Sequence, residues 1–325
     1  MIKRFLKSVL IGLTLFLVVL VILIKRPTFS TQVQNSVELG VKPENLELHV
    51  KYLSHHIKER NFENNHGLKL TSDYIESQFS KYHDEVSIQP YQVNGQTFQN
   101  VISTYGPDGA PILVVGAHYD TYGNLPGADD NASGVAGLLE LNRLLASFVE
   151  RNVLNKQIIL VAYTLEEPPI YATNKMGSVI HAESLKGKDV VLMISLEMIG
   201  YFDDHVNSQD YPIGALGLLY PDEGNFVAVV DQMFSSSGVA LKKTINQQGW
   251  ISAYSINAPA AIPGIDFSDH RSYWAVNIPA VMITDTSFYR NPNYHTANDT
   301  FETLDYLKMS YVVNGVLAHI KSMSQ

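Results

Sequence analysis

Acidic and histidine side chains follow four apolar runs of the sequence, each at the point where a strand is predicted to end. They are His118 with Asp120, Glu166 with Glu167, Glu197, and Asp285, which leads into a loop with His295. Between the first two runs, residues 126–134 (PGADDNASG) add the adjacent acids Asp129 and Asp130. Two histidines with several carboxylates, in a chain without cysteine, suit a hard-to-borderline metal ion such as zinc.

The order of the elements brings these groups together. Strands that alternate with helices predict a largely parallel sheet covered on both faces. Ligands of such sheets bind beyond the carboxyl ends of the strands, so the four groups should meet at one edge. A single strand end of this kind is usually structural or solvated. Four such strand ends place several negative charges at one edge of the sheet. Divalent cations bound there would relieve the repulsion between these charges.

Apolar periodicity predicts the elements themselves. Helical spacing indicates helices at 46–60, 68–82, 133–148, 174–184, 225–236 and 301–323. Runs rich in β-formers indicate strands at 86–93, 100–105, 111–117, 157–163, 190–196 and 280–284, with a loop-rich stretch before the last. We therefore expect an α/β protein: a three-layer α/β/α sandwich with a central mixed, largely parallel sheet, preceded by one transmembrane helix.

The amino terminus carries a signal of its own. Residues 8–24 hold no charge, three basic residues precede them, and Lys25 and Arg26 follow. At about 1.5 Å per residue, the segment is at the short end of what spans a bilayer. A cleaved signal peptide needs small residues at a cut site, whereas Lys-Arg-Pro follows here, so an uncleaved single-pass anchor is favoured.

This pattern divides the chain into an anchor (1–26), a juxtamembrane linker (27–44) and a body (45–325). The slight excess of basic residues before the apolar run favours a body on the outer side of the membrane, periplasmic or extracellular. The net charge is −9 although residues 1–30 carry five basic side chains and no acid, so the body is acidic. An acidic body argues against nucleic acid as a partner.

Six segments carry a family resemblance. They are GAHYDT (116–121), PGADDNASGVAGLLEL (126–141), LVAYTLEE (160–167), SLEMIGY (195–201), SDHRSYW (268–274) and YHTANDT (294–300). In order and spacing they resemble the co-catalytic dizinc aminopeptidases, a family that includes glutamate carboxypeptidases and the related glutaminyl cyclases. The resemblance covers roughly residues 45–325 and implies a zinc exopeptidase domain acting on peptides with a free amino terminus.

Carried over to this sequence, the resemblance implies two Zn²⁺ ions per chain. The implied ligands are Asp129 as the bridge, His118 with Glu197 at one ion, and Glu167 with His295 at the other. It also implies that Glu166 is the general base for a water shared by the ions. Asp120 would orient His118, as a carboxylate often does for a metal-binding histidine.

Some positions depart from the family or stay open. Glu197 stands where the family more often has aspartate, but a side chain longer by one methylene still reaches a metal ion. Asp269, His270 and Tyr201 are candidates for substrate contacts. A loop stabilised by local hydrogen bonds explains Asp269 and His270 equally well, and aromatic residues such as Tyr201 are more often packing.

Three other functions compete with the aminopeptidase. A glutaminyl cyclase-like acyltransferase would use a single zinc ion. A carboxypeptidase would need cations for the substrate carboxylate, and only Arg271 and Arg290 lie near the motifs, whereas an acidic rim suits a free amine. A non-catalytic ectodomain with a peptidase fold predicts lost ligands, but all five ligand positions and the base are filled.

Overall fold

The computed structural model describes residues 2–25, 39–57 and 59–325. Its first helix, α1 (Ile2–Lys25), contains the apolar run. Two helical segments are long and apolar enough to cross a membrane, Lys3–Val21 near the amino terminus and Ala128–Val149, of which 67% is buried inside the body. The second is therefore a core helix. Residue 26 of the predicted anchor and residues 27–38 of the predicted linker lie outside the described residues.

One eight-stranded sheet forms the centre of the body. Its strands are β1 (Val86–Val93), β2 (Gln96–Tyr105), β3 (Ile112–His118), β4 (Gln157–Tyr163), β5 (Val190–Leu196), β6 (Phe226–Gln232), β7 (Ser252–Ala258) and β8 (Ala280–Thr284). They lie in the order β1-β2-β4-β3-β5-β8-β6-β7. Strands β4, β3, β5 and β8 are mutually parallel and end at one edge, whereas β1–β2, β2–β4 and β8–β6 are antiparallel pairs. The predicted mixed sheet is confirmed.

Helices cover both faces of this sheet. In the described part of the body they are α2 (Pro43–Lys51), α3 (Asn65–Ser80), α4 (Gly134–Val149), α5 (Gly177–Ser184), α6 (Ser237–Gln248), α7 (His270–Ala275) and α8 (Tyr306–Ser324). Leu113 and Val115 of β3 face the larger core, which α2, α3, α4, α6 and α8 share. Val114 faces the smaller core, with Ala182 of α5 and Tyr273 of α7. The expected three-layer α/β/α sandwich is confirmed.

The prediction was wrong between residues 225 and 258. The expected helix at 225–236 is largely the strand β6, and the stretch predicted to be loop-rich contains α6 and β7. Phe226, Val229 and Val230 have helical spacing, but short apolar runs fit a strand equally well. Strand β6 pairs with β8 on one side and β7 on the other, and this pairing outweighs the local pattern.

Candidate functional site

His118 ends strand β3, and its imidazole lies close to two carboxylates. Its Nε2 atom is 3.4 Å from Oδ1 of Asp130 and 3.3 Å from Oε2 of Glu197, the residue that follows β5. All three side chains are buried. Each can offer one ligand atom to a common metal ion, because these atoms all lie within 4.8 Å of one another.

The other oxygen of Asp130 belongs to a second cluster. Oδ2 of Asp130 is 3.0 Å from Nε2 of His295, which is in turn 3.3 Å from Oε1 of Glu167. Glu167 follows β4, and His295 lies in the loop after β8. These three groups also offer ligand atoms within 4.8 Å of one another. The two clusters therefore share one carboxylate, with one oxygen turned towards each histidine.

Asp130, and not Asp129, lies between the two histidines. The resemblance assigned the shared position to Asp129. In the structure Oδ1 of Asp129 accepts a hydrogen bond from the Gly200 N–H (3.0 Å), and Oδ2 accepts one from the Asn291 amide (2.8 Å). Asp129 belongs to neither cluster. Two adjacent acids look alike in sequence, and the turn that begins at Gly127, with φ +57°, decides which of them faces the histidines.

Two side chains that the sequence analysis did not assign to the site hold the segment carrying Asp130. The Asp299 carboxylate accepts hydrogen bonds from the N–H groups of Asp129 (2.8 Å) and Asp130 (3.1 Å). The Asn131 amide donates to the Leu196 carbonyl at the end of β5 (2.8 Å). Asp299 and Asn131 both lie in segments that carry the family resemblance, so the sequence marked them as part of the motifs. Their contacts depend on how the loops fold and were not predictable.

Asp120 orders the loop that follows β4. Its two carboxylate oxygens accept hydrogen bonds from the N–H groups of Glu166 and Glu167, each at 3.0 Å. Nδ1 of His118 is 3.2 Å from the carbonyl oxygen of Asp120 and 3.4 Å from its Oδ1 atom. One side chain thus connects the His118 ring with the backbone of both glutamates. Glu166 belongs to neither cluster but lines the adjacent cavity.

Burial and crowded charge shift the pKa values of these groups. Burial raises the pKa of Glu166 well above its usual range, and the carboxylates of Glu167 and Glu197 add to that effect. Burial also raises the pKa of Glu167 to about 8, with Asp130 contributing. Burial opposes the protonation of His295, but the adjacent carboxylates of Asp130 and Glu167 raise its pKa to about 10. Divalent cations bound here would lower the carboxylate pKa values again.

The donor atoms of the clusters fit metal ions. Oε1 of Glu167 and Nε2 of His295 are buried without a hydrogen-bond partner in the described part of the chain, although they lie 3.3 Å apart. Buried polar atoms normally have partners, so two orphaned ligand atoms that face each other indicate an ion between them. Buried carboxylates also need cations close by. Imidazole nitrogens with carboxylate oxygens suit a borderline divalent cation.

A cavity of about 280 Å³ adjoins the two clusters. At one end it is lined by Asp130, Glu166, Glu167, Glu197 and His295. Its floor is one face of β6, β7 and β8, including Ala228, Tyr254 and Met282, and Phe267 and Phe288 also line it. Among the described residues, no lysine or arginine lines this cavity. It therefore suits an apolar group attached to a reacting centre at the acidic end.

The three possible substrate contacts do not line this cavity. Asp269 and His270 are fully buried. Nε2 of His270 lies 2.8 Å from the Ile265 carbonyl oxygen, and its ring packs edge-on against Trp274. The N–H group of Tyr201 donates to Asp285, outside both clusters. Burial raises the pKa of Asp269 to about 7, and this carboxylate contributes to the raised pKa of Glu166.

The two arginines near the motifs are engaged within the chain. Arg290 is buried and donates to Gln209 (2.9 Å) and to the Phe226 carbonyl (2.9 Å). Arg271 lies 3.3 Å from a carboxylate oxygen of Asp266, and its guanidinium packs over an aromatic ring. Neither arginine lines the cavity.

Comparisons with known proteins agree on one family. The sequence profile of peptidase family M28 matches residues 100–320. The uncharacterized protein YfbL of Escherichia coli (strain K12) is 46% identical over 284 residues, or 85% of this chain and 86% of YfbL. BSAP, a zinc aminopeptidase from Bacillus subtilis, has a TM-score of 0.71 at 15% identity and covers 89% of this chain and 96% of its own. A glutaminyl cyclase from Porphyromonas gingivalis has a TM-score of 0.67 at 18% identity, with 88% and 100% covered.

Proposed function

The chain belongs to peptidase family M28, and we propose that it is a zinc-dependent aminopeptidase with two zinc ions per chain. The observation that supports this most is the sharing of Asp130 by two clusters, each completed by one histidine and one glutamate. His118 and Glu197 would hold one ion, and Glu167 and His295 the other. When bound, two such ions supply Lewis acidity that polarises a peptide carbonyl and acidifies water.

Glu166 is the general base in this proposal. It lines the cavity beside both clusters without belonging to either, so its carboxylate is free to handle a proton. Glu166 takes a proton from the attacking water and returns it to the leaving amine. Asp120 fixes the backbone on which Glu166 and Glu167 sit, because it accepts the N–H of each. Adjacent glutamates thereby have different tasks.

The cavity supports an aminopeptidase with an apolar preference. A carboxypeptidase needs a cation for the terminal carboxylate, and the described lining of the cavity contains no lysine or arginine. Its acidic end instead suits the free amine of a peptide. Its floor and walls are largely apolar and aromatic, so we propose that they hold an apolar side chain at the amino terminus of the substrate.

Ligand sharing also weighs against the other candidates. The fold is common to aminopeptidases and glutaminyl cyclases, so the fold does not separate them. A single-zinc cyclase has no need of a second complete cluster around the same aspartate, and here both clusters are complete. A non-catalytic ectodomain has no need of a buried glutamate beside them. The two-metal hydrolase explains all of these groups.

We extend the proposal to the location of the enzyme. Residues 1–26 would form a single membrane anchor and residues 27–44 a linker, leaving the catalytic domain 45–325 on the outer side. An exposed apolar helix near the amino terminus supports the anchor. The basic residues that precede it support the orientation.

Metal content and hydrolysis, measured on the full chain in detergent, test the function. We expect two zinc ions per chain and release of nitroaniline from leucyl and phenylalanyl nitroanilides, with no release from their N-acetylated forms. A chelator should abolish the activity and zinc should restore it. One zinc ion without anilide hydrolysis would favour the cyclase, and equal rates on acetylated substrates would contradict an aminopeptidase.

A further inference from the structure

The two histidines of the site are supported in different ways. Nδ1 of His118 faces Asp120, with the carbonyl oxygen at 3.2 Å and Oδ1 at 3.4 Å. A metal-binding histidine usually has such an acceptor for its second ring nitrogen. In the parts of the chain that the structure describes, Nδ1 of His295 has no hydrogen-bond partner. The His295 ring therefore lacks the kind of support that Asp120 gives the His118 ring.

Two tyrosine rings stack on His295. The ring of Tyr294 lies 3.8 Å from the imidazole between centroids, with planes inclined by 16°. The ring of Tyr122 lies 4.2 Å away, with planes only 5° apart. Tyr294 is the preceding residue, whereas Tyr122 comes from the loop between β3 and α4. A contact from a separate loop fixes the ring relative to the rest of the site.

The backbone and the exposure of His295 leave its ring open to other orientations. Its φ angle is +51°, in the left-handed region that residues with a side chain seldom adopt, although histidine does so more often than most. Its side chain is also 23% exposed, which leaves room for other rotamers. Stacking on the flat faces leaves only the ring edge free. That edge carries Nε2, which points to Asp130 and Glu167.

We infer that Tyr122 is a positioning residue for the metal ion held by Glu167 and His295. It acts through its ring, which keeps the His295 imidazole in the plane that directs Nε2 to the ion. This inference rests on the proposed function. Tyr122 is 42% exposed, so it contributes little to the core and its removal should leave the fold intact. Binding of the ion at His118 should be insensitive to changes at Tyr122, because Asp120 supports the His118 ring.

Zinc binding to metal-free full-length chain, measured by competition with a chromophoric chelator, tests the inference. The variants are Tyr122→Ala, Tyr122→Leu and Tyr122→Phe. His295→Gln removes a proposed ligand and so identifies which step of the zinc titration belongs to the ion held by Glu167 and His295. Tyr52→Ala is the matched control, because Tyr52 is 39% exposed, stacks on Tyr74 at 4.1 Å and belongs to neither cluster. Circular dichroism checks that each variant is folded.

We expect Tyr122→Ala and Tyr122→Leu to weaken the binding of one zinc equivalent by about ten-fold and to leave the other unchanged. The weakened equivalent should be the one that His295→Gln loses. Tyr122→Phe keeps the ring and Tyr52→Ala keeps the site, so both should bind zinc like wild type. Unchanged binding in Tyr122→Ala, equal weakening of both equivalents, or a Tyr122→Phe variant as weak as Tyr122→Ala would overturn the inference. A wild-type chain without zinc would overturn the proposed function as well.

Discussion

Asp130 is the residue on which the two proposed ions depend. Its oxygens lie 3.4 Å from Nε2 of His118 and 3.0 Å from Nε2 of His295, so one carboxylate faces two otherwise separate ligand pairs. Its neighbour Asp129 has a different task, since its oxygens accept hydrogen bonds from Gly200 and Asn291. Of the two adjacent acids, Asp130 is therefore the proposed ligand and Asp129 a support for the surrounding loops.

Replacing each acid by its amide separates these tasks. We expect Asp130→Asn to weaken both zinc equivalents by at least about 100-fold, because it removes an anionic ligand oxygen from both sites and loss of a supporting residue alone costs up to that much. Asp129→Asn keeps the shape and one acceptor oxygen, so it should retain both ions. Zinc titration of the two variants measures the difference. Loss of zinc from Asp129→Asn alone would restore the assignment made from the resemblance.

Much of the site could be predicted at this scale because its groups follow strands that are easy to recognise. His118, Glu167 and Glu197 stand directly after apolar runs, and parallel strands end at the same edge. The assignment of Asp130 needed the path of the chain after Gly127. The support from Asp299 and the stacking of Tyr122 needed loops that are distant in sequence.

At the scale of elements, β6 and β7 at one side of the sheet were not predicted, whereas the central strands and the opposite edge strand β1 were. The predicted bounds of β4, β5 and β8 are confirmed, because these buried strands are continuous apolar runs. Strand β6 was predicted as a helix, and the edge strand β7 was missed because its sequence, SAYSINA, contains few strong β-formers. Both contribute to the floor of the cavity, so its shape was not predictable.

The cavity floor offers a test of substrate preference. Ala228 of β6 lines the cavity, and Ala228→Phe would place a ring in the space proposed for the substrate side chain. We expect kcat/KM for a phenylalanyl anilide to fall by at least about ten-fold, with little change for an alanyl anilide. Ala228→Ser, which adds one atom, serves as the matched control. Equal losses on both substrates would contradict the assignment of this cavity to the side chain.

At the scale of the whole molecule, buried histidines link stability to pH. Four histidines have pKa values lowered by burial, and they are His49, His181, His270 and His319. For His181, burial lowers the pKa to about 3, and its Nδ1 atom lies 2.5 Å from the Tyr273 hydroxyl oxygen in the smaller core. The unfolded chain, with a histidine pKa of about 6.5, binds this proton more readily.

The folded state should therefore lose stability as the pH falls below about 6.5. At pH 5 the contribution of His181 to this loss is about 2 kcal/mol. In His181→Gln that contribution is absent, so the stability difference between wild type and variant should shrink by this amount from pH 7 to pH 5. Urea unfolding at both pH values measures the difference, and metal loss affects both proteins alike. A difference independent of pH would contradict a buried neutral His181.

The proposed mechanism needs two metal ions and one carboxylate that binds neither of them, and Glu166→Gln in the full-length chain tests it most directly. Glutamine keeps the size of the side chain but does not accept the proton. We predict that the variant retains two zinc ions and loses about two to four powers of ten in kcat on a leucyl anilide. A variant that keeps its rate within ten-fold of wild type, or one that loses its zinc together with its activity, would contradict the separation of base and ligands.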